Sequence, residues 1–379
     1  MHEALDVLEA ARSTTDTIEF YKVVKAALAS AIKVIARADD SSGIIGDACR
    51  RLLALHPQAA AAAAVSPGKL VDWMIAFQFN GDVDYFEIDP VDYAPALGET
   101  GMDTYRARLE AIRESVGPEP PESERWTAPH RHERWVLEWN DRRLAVFDRN
   151  AEAIIRTHAR DRKVAAWLHD TAQAFEEIGE IDLAIDWARQ ASEHNTGHQA
   201  LKAANYWCEL LARHHPTELL ATRRVVFQRW PSSSTAAQLY RDAGESWHDH
   251  RDDVLATLSA RPDQAVIFTL STLNDPHLAW EQAASLPLHD DHTWAQLATA
   301  YETIDPLAVL PIHQRLVEHE LANTGAQHYR QAATRLARMR ALATGTDQAF
   351  IVDEFIAALR DTHRRRPRLQ QEFDRAHLP

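Results

Sequence analysis

Cysteine, glycine and lysine are all scarce in this chain, and no apolar run is long. The two cysteines, Cys49 and Cys208, are far apart and neither sits in a CxxC pair. A disulfide framework and a thiolate zinc site are thereby excluded, and a reducing compartment fits. Twelve glycines in 379 residues, against abundant alanine, favour helices over the hairpins and tight turns of sheet proteins. Only 6 of the 41 basic residues are lysine, which reads as the codon bias of a GC-rich genome, so arginine richness is discounted as a binding signal. The longest apolar block, AAAAAAV at 59–65, is far too short to span a bilayer. The opening MHEALDVLEAAR is amphipathic and acidic, without the apolar core of a signal peptide, so the expected location is cytoplasmic, with no membrane role.

What is present is the composition of a folded soluble protein, 45% hydrophobic and 26% charged. A formal charge of −15 argues against a protein wholly devoted to coating nucleic acid, which needs a dense basic surface. Residues 1–75 read as three or four helices broken at Ser13–Asp16, Asp39–Gly46 and Ser66–Gly68. An acidic loop is expected over 79–101, with helix resuming at Asp103 as an N-cap. GPEPPESERWTAP at 117–129 is the expected linker, dividing an N-terminal helical segment (1–116) from a helical array (130–379).

The stretch FEEIGEIDLAIDWARQA at 175–191 carries the most information about architecture. Leu168, Ala172, Phe175 and Ile178 line one face of a first helix, Gly179 ends it, and Ala184, Ile185, Ala188 and Ala191 line the second. These spacings match a tetratricopeptide repeat, a hairpin that needs neighbours to cover its apolar flanks. Markers of further second helices fall at Leu220, Leu255, Ala279 and Leu310, at intervals of 36, 35, 24 and 31 residues. Cys208, Ala243 and Ala298 stand twelve residues before three of them. The expectation is an all-α protein, a right-handed α-solenoid of degenerate tetratricopeptide-like hairpins.

Several segments carry a wider likeness: DDSSGIIGDACRRLLALH (39–56), ALGETGMDTYRARLEAI (96–112), YRQAATRLARMRAL (329–342) and HRRRPRLQQEFDRAHL (363–378). With the 175–191 hairpin, they resemble the long helical region of bacterial SWIM zinc-finger proteins and their stand-alone relatives, over most of 35–379. The chain has no CxC, so no residue inherits a zinc-ligand role from that resemblance, and the finger's suggested binding does not transfer.

Candidate chemistry is thin. DDSSGIIGD at 39–47 fails as a calcium loop because Ile44 and Arg50 stand where glycine and glutamate are needed, leaving Asp47 or Ser42 as the expected cap of the next helix. Asp82, Asp84, Asp89 and Asp92 match no calcium spacing. His130, His132 and Glu133 form an HxHE without a strand to present it. His169-Asp170, with His158 upstream, is similar to the metal-binding dipeptide of helical HD phosphohydrolases, and His248-Asp249 and His289-Asp290 repeat it. The repeat register places His169 and Asp170 on a solvated face. ExxH occurs once on a suitable span, Glu245 to His248, and GxSxG is absent. Tryptophans 167, 187, 207 and 294 fall in helical patterns as core residues. Arg364, Arg365, Arg366 and Arg368 read as a structural cap, with a nucleic-acid strip as the sharper alternative.

The sequence therefore reads as a non-enzymatic scaffold for a protein or peptide partner, with no cofactor and no metal site assigned. The rival readings are a metal-dependent HD-type hydrolase and a nucleic-acid accessory protein.

Overall fold

The computed structural model describes residues 2–81, 83, 85–124 and 127–379. Among them there are twenty α-helices and no β-strand. The chain divides into two compact units, Met1–Asn195 and Thr196–Pro379.

The first unit contains α1 (His2–Ala11), α2 (Thr17–Ile35), α3 (Ile44–Ala62), α4 (Pro67–Asn80), α5 (Pro90–Val116), α6 (Arg131–Phe147), α7 (Ala151–Ile154), α8 (Ala165–Glu177) and α9 (Ile181–Glu193). A π-helical turn, Ile155–Ala159, follows α7. Asp16 caps α2, accepting from the backbone N–H groups of Ile18 and Glu19. The cap of α3 differs from expectation: the Asp40 carboxylate takes the N–H groups of Ile45 (3.0 Å) and Gly46 (2.7 Å). Asp47 instead pairs with Arg50 at 2.6 Å, on the exposed face of the same helix.

The acidic loop is much shorter than 79–101. Helix α4 runs through Asn80, and α5 begins at Pro90 with Asp89 as its cap, accepting from Val91 N–H at 2.9 Å. Proline suits the first helical turn, where its missing N–H has no partner to lose, so Pro90 starts a helix that its presence suggested it would prevent. Gly98 (φ 61°) kinks α5 without ending it, and Asp103 lies inside the helix as no cap. Asp82 and Asp84 lie outside the described residues.

The boundary expected at 117–129 falls inside the first unit. Helix α6 returns across that stretch to pack on α4 and α5, and the three share a closed buried ring of hydrogen bonds. Gln78 Nε2 donates to Tyr105 Oη (2.7 Å), Tyr105 Oη–H to Asn140 Oδ1 (2.7 Å), and Asn140 Nδ2 to Gln78 Oε1 (3.0 Å). Leu137 and Leu144 join Leu70, Met74, Tyr93, Leu97 and Leu109 in one core. A proline-rich stretch marks where a helix stops; whether the next helix leaves the core depends on its apolar face.

The α8–α9 hairpin forms as its spacing predicts. Gly179 has φ 80°, its N–H donates to Glu176 O, and Glu180 N–H donates to Phe175 O, both at 2.9 Å. This is the Schellman arrangement, for which an L-residue at the left-handed position costs about 1–2 kcal/mol. Ala172, Ala184, Ala188 and Ala191 are fully buried, and the Phe175 and Trp187 rings stack at 6.4 Å.

The second unit contains α10 (His198–His214), α11 (Pro216–Arg229), α12 (Ser233–Ala243), α13 (Arg251–Leu258), α14 (Pro262–Ser271) and α15 (Pro276–Ser285). It continues with α16 (Asp291–Tyr301), α17 (Leu310–Ala322), α18 (Ala326–Ala343), α19 (Gln348–Thr362) and α20 (Pro367–Arg375). Proline opens five of these helices at the first or second position. The marker residues Leu220, Leu255, Ala279 and Leu310 lie on α11, α13, α15 and α17, with Cys208, Ala243 and Ala298 buried on α10, α12 and α16. Leu220 and Leu255 are only half-buried, while Val226 on α11 and Val254 and Leu258 on α13 take the inner positions.

Replacing Tyr105 by Phe removes one hydroxyl from the ring and strands Asn140 Oδ1 and one Gln78 donor in the core. Urea unfolding of Tyr105→Phe is expected to show a loss of about 1–3 kcal/mol, with α4, α5 and α6 still melting in one transition.

A polar cleft between α16, α17 and α18

Three helices of the second unit leave a cleft of about 750 Å³ between them. The opening exists because the facing side chains are short: α16 presents Ala295 and Thr299 and α18 presents Thr334. The larger polar residues around it recur at helical spacing. Asp291, Ala295 and Thr299 share one face of α16 with Glu302 at its C-terminal cap, His313, Leu316 and Glu320 share one face of α17, and Arg330, Thr334 and Arg338 one face of α18, with Gln331 and Arg335 beside them.

Each carboxylate of the cleft already has partners. Glu302, whose side chain is 10% exposed, receives both Arg338 Nη2 (2.6 Å) and Arg338 Nε (3.1 Å). Asp291 is held by His319 and by Arg315 Nη2 at 3.2 Å. Glu320 accepts from His328 Nδ1 at 2.7 Å, and the Gln331 amide, with its nitrogen turned towards Glu320, donates to both carboxylate oxygens at 3.1 and 3.2 Å.

His313 is buried at 3% exposure beneath this layer. Its Nδ1 lies 3.5 Å from Arg335 Nη1. A guanidinium can only donate, so Nδ1 must accept and the ring proton sits on Nε2. Nε2 has no hydrogen-bond partner among the described residues and faces Glu302 Oε2 at 3.9 Å. Burial pushes the His313 pKa down, and Arg335 adds to that more than Glu302 opposes it, so the imidazole is neutral at physiological pH. Arg335 is itself half-buried, and burial lowers its pKa against the pull of Glu320 and Asp291. It reaches no carboxylate of the described residues at ion-pair distance. Arg330 on the rim is exposed and likewise has no ion-pair partner among the described residues.

The sequence reading singled out none of these residues. The signal was present in YRQAATRLARMR, where Arg330 and Arg338, eight residues apart with Thr334 midway, fall on one side of α18 with Arg335 beside them, but arginine abundance hid it.

The residues the sequence did nominate are scattered. His158 and His169 are both buried in the first unit, so the solvated face expected for His169 is wrong: it is 4% exposed on the inner side of α8, next to Leu168. His248 and Asp249 pair with each other at 3.1 Å on the surface of the second unit. Asp290 caps α16 through Thr293 N–H at 2.7 Å. His132 Nε2 donates to Gln78 O at 2.7 Å, a packing role beside the buried ring, and His130 pairs with Glu133 at 3.2 Å. Asp89 pairs with Arg143 at 2.7 Å. Among the described residues, no three His, Cys, Asp or Glu side chains are grouped so that they could hold a metal ion.

The C-terminal arginines are mostly occupied within the protein. Arg366 Nη1 donates to Leu321 O at 2.7 Å, covering a carbonyl in the last turn of α17, and lies 6.0 Å from the Tyr329 ring centroid. Arg368 pairs with buried Glu372 at 3.2 Å and Arg364 with Asp361 at 3.4 Å. Arg365 is exposed. No helix among the described residues is long and apolar enough to cross a membrane.

Two buried imidazoles in the first unit give a pH signature. His56, stacked on Trp73 at 4.1 Å and bonded through Nδ1 to Tyr93 Oη at 3.0 Å, is pushed down to about 4 by burial and then by Lys25. His158 is also pushed down to about 4, by burial and then by Arg142. The unfolded chain takes up these two protons near pH 6.5, whereas the folded chain refuses them until about pH 4. Stability from this source is therefore level above 6.5 and falls as pH drops from 6.5 to 4. NMR titration is expected to show both rings neutral at about pH 5.5, with unfolding free energy declining over that window. No protein-family model and no curated protein matches the chain.

Proposed function

We propose that the protein is a non-enzymatic helical scaffold that binds a protein or peptide partner, with the α16–α18 cleft as its binding site. The observation that carries this reading is the state of the cleft's acidic groups: Asp291, Glu302 and Glu320 are each engaged by arginine, histidine or amide donors. A carboxylate held in that way is a poor general base, because its lone pairs are already committed to donors of the protein. What such a layer supplies is a rigid, pre-organised surface, and a volume of about 750 Å³ suits a few residues of a peptide.

Two further observations support the scaffold reading. The α8–α9 hairpin has the alanine spacing, the left-handed glycine and the interhelical aromatic of a tetratricopeptide-like unit. In the second unit, successive helices pack mainly on their sequence neighbours, as in a stack of hairpins. The proposed arrangement there is a divergent α-solenoid, in keeping with the resemblance to the helical region of SWIM proteins.

The nucleic-acid reading has less to stand on, since three of its four arginines are engaged within the protein. The HD-hydrolase reading lacks a grouped set of ligands among the described residues.

A photo-crosslinking residue placed at Thr334 in the full chain, expressed in its native host, tests the scaffold reading. The expected result is a discrete protein adduct at Thr334 and none from the same probe at Ser41, which is exposed on the first unit. No protein adduct at Thr334, together with salt-sensitive nucleic-acid binding lost in Arg364→Ser/Arg365→Ser, would overturn it in favour of the nucleic-acid reading.

A further inference from the structure

Counting Arg315 at its edge, the cleft gathers four arginines around three carboxylates, a local positive surplus in a chain whose formal charge is −15. The surplus is not spread evenly. Arg338 is committed to Glu302 and Arg315 to Asp291, so among the described residues the uncommitted charge resides on Arg335 and Arg330, five residues apart on α18 and both lining the cleft.

Arg335 is built into its place. The buried His313 accepts from its Nη1 and, because the ring is neutral and protonated on Nε2, orients the guanidinium without neutralising it. A half-buried guanidinium that has lost part of its water and gained no direct counter-ion is a strong site for an anion, since the desolvation has already been met in folding. Its planar fork matches a carboxylate with two parallel N–H···O bonds.

The size of the surplus selects the charge of the ligand. One net positive charge beside Asp291, Glu302 and Glu320 suits a monoanion, whereas a phosphate dianion would meet repulsion from all three. The Thr299 and Thr334 hydroxyls in the cleft wall donate to Ala295 O and Arg330 O, which leaves their oxygens as acceptors for peptide N–H groups.

We propose that Arg335, with Arg330 at the rim, captures a carboxylate carried by an acidic peptide segment of the partner, with His313 as the residue that positions Arg335. This rests on the scaffold reading and names the chemistry of its ligand.

The test is an NMR titration of the full chain at about 0.15 M salt, where the Debye length is about 8 Å and the overall negative charge is screened. The probes are acetyl-Ala-Ala-Glu-Ala-Ala-amide, its Gln counterpart, glutarate and inorganic phosphate. The Glu peptide is expected to shift α17 and α18 resonances and to bind roughly tenfold more tightly than the Gln peptide. Arg335→Gln should abolish that difference. Arg330→Gln, at an exposed position that leaves the fold intact, should reduce it. Equal binding of the Glu and Gln peptides, or a preference that survives Arg335→Gln, would overturn the assignment. Glutarate or phosphate binding as tightly as the peptide would overturn its peptide specificity. A protein adduct at Thr334 without any Glu-peptide binding would sink this inference while leaving the scaffold reading in place.

Discussion

Close approach between alanine-faced helices is the constraint on which each unit depends. In the first unit Ala172, Ala184, Ala188 and Ala191 are fully buried, and in the second so are Ala200, Ala203, Ala204, Ala236, Ala265, Ala279, Ala298 and Ala332. Alanine brings little apolar area of its own. It lets backbones come near enough for a few large side chains, such as Phe175 in the first unit and Phe268 and Phe373 in the second, to fill the remaining space. A core of this kind has little slack, and Gln78, Tyr105 and Asn140 in the first unit are tied into a closed set that satisfies them within it.

The same economy of side-chain size makes the cleft. Where Ala295, Thr299 and Thr334 face one another, no large residue fills the gap, and longer polar side chains border it instead. Their pairing is hierarchical: a buried imidazole holds Arg335, carboxylates hold Arg338 and Arg315, and Arg335 and Arg330, without a carboxylate partner among the described residues, line the opening. Charge pairs on an open surface contribute little, but at 10% exposure the Glu302 carboxylate with its two-point Arg338 contact fixes geometry.

The helical class, the early breaks and the α8–α9 hairpin were legible because they rest on local chemistry: caps, helical periodicity and one left-handed glycine. Two kinds of feature were not. Pro90 and the 117–129 stretch read as interruptions, yet Pro90 opens a helix and α6 returns to the same core, a long-range outcome decided by Leu137, Asn140 and Leu144. The burial of His169 was missed for a related reason, since one hairpin's register cannot reveal what packs on its outer side. The cleft was invisible because it joins three helices whose polar residues, taken one helix at a time, look like solvated faces.

At the centre of the account is a neutral imidazole that accepts from Arg335 and so leaves that guanidinium charged and uncommitted. Nitrogen-15 chemical shifts of the His313 ring at neutral pH read this directly. The account predicts the Nε2–H tautomer with Nδ1 unprotonated. A ring protonated on Nδ1, or carrying both protons, would contradict it, because Arg335 would then have no acceptor at His313 and no reason to stand where it does.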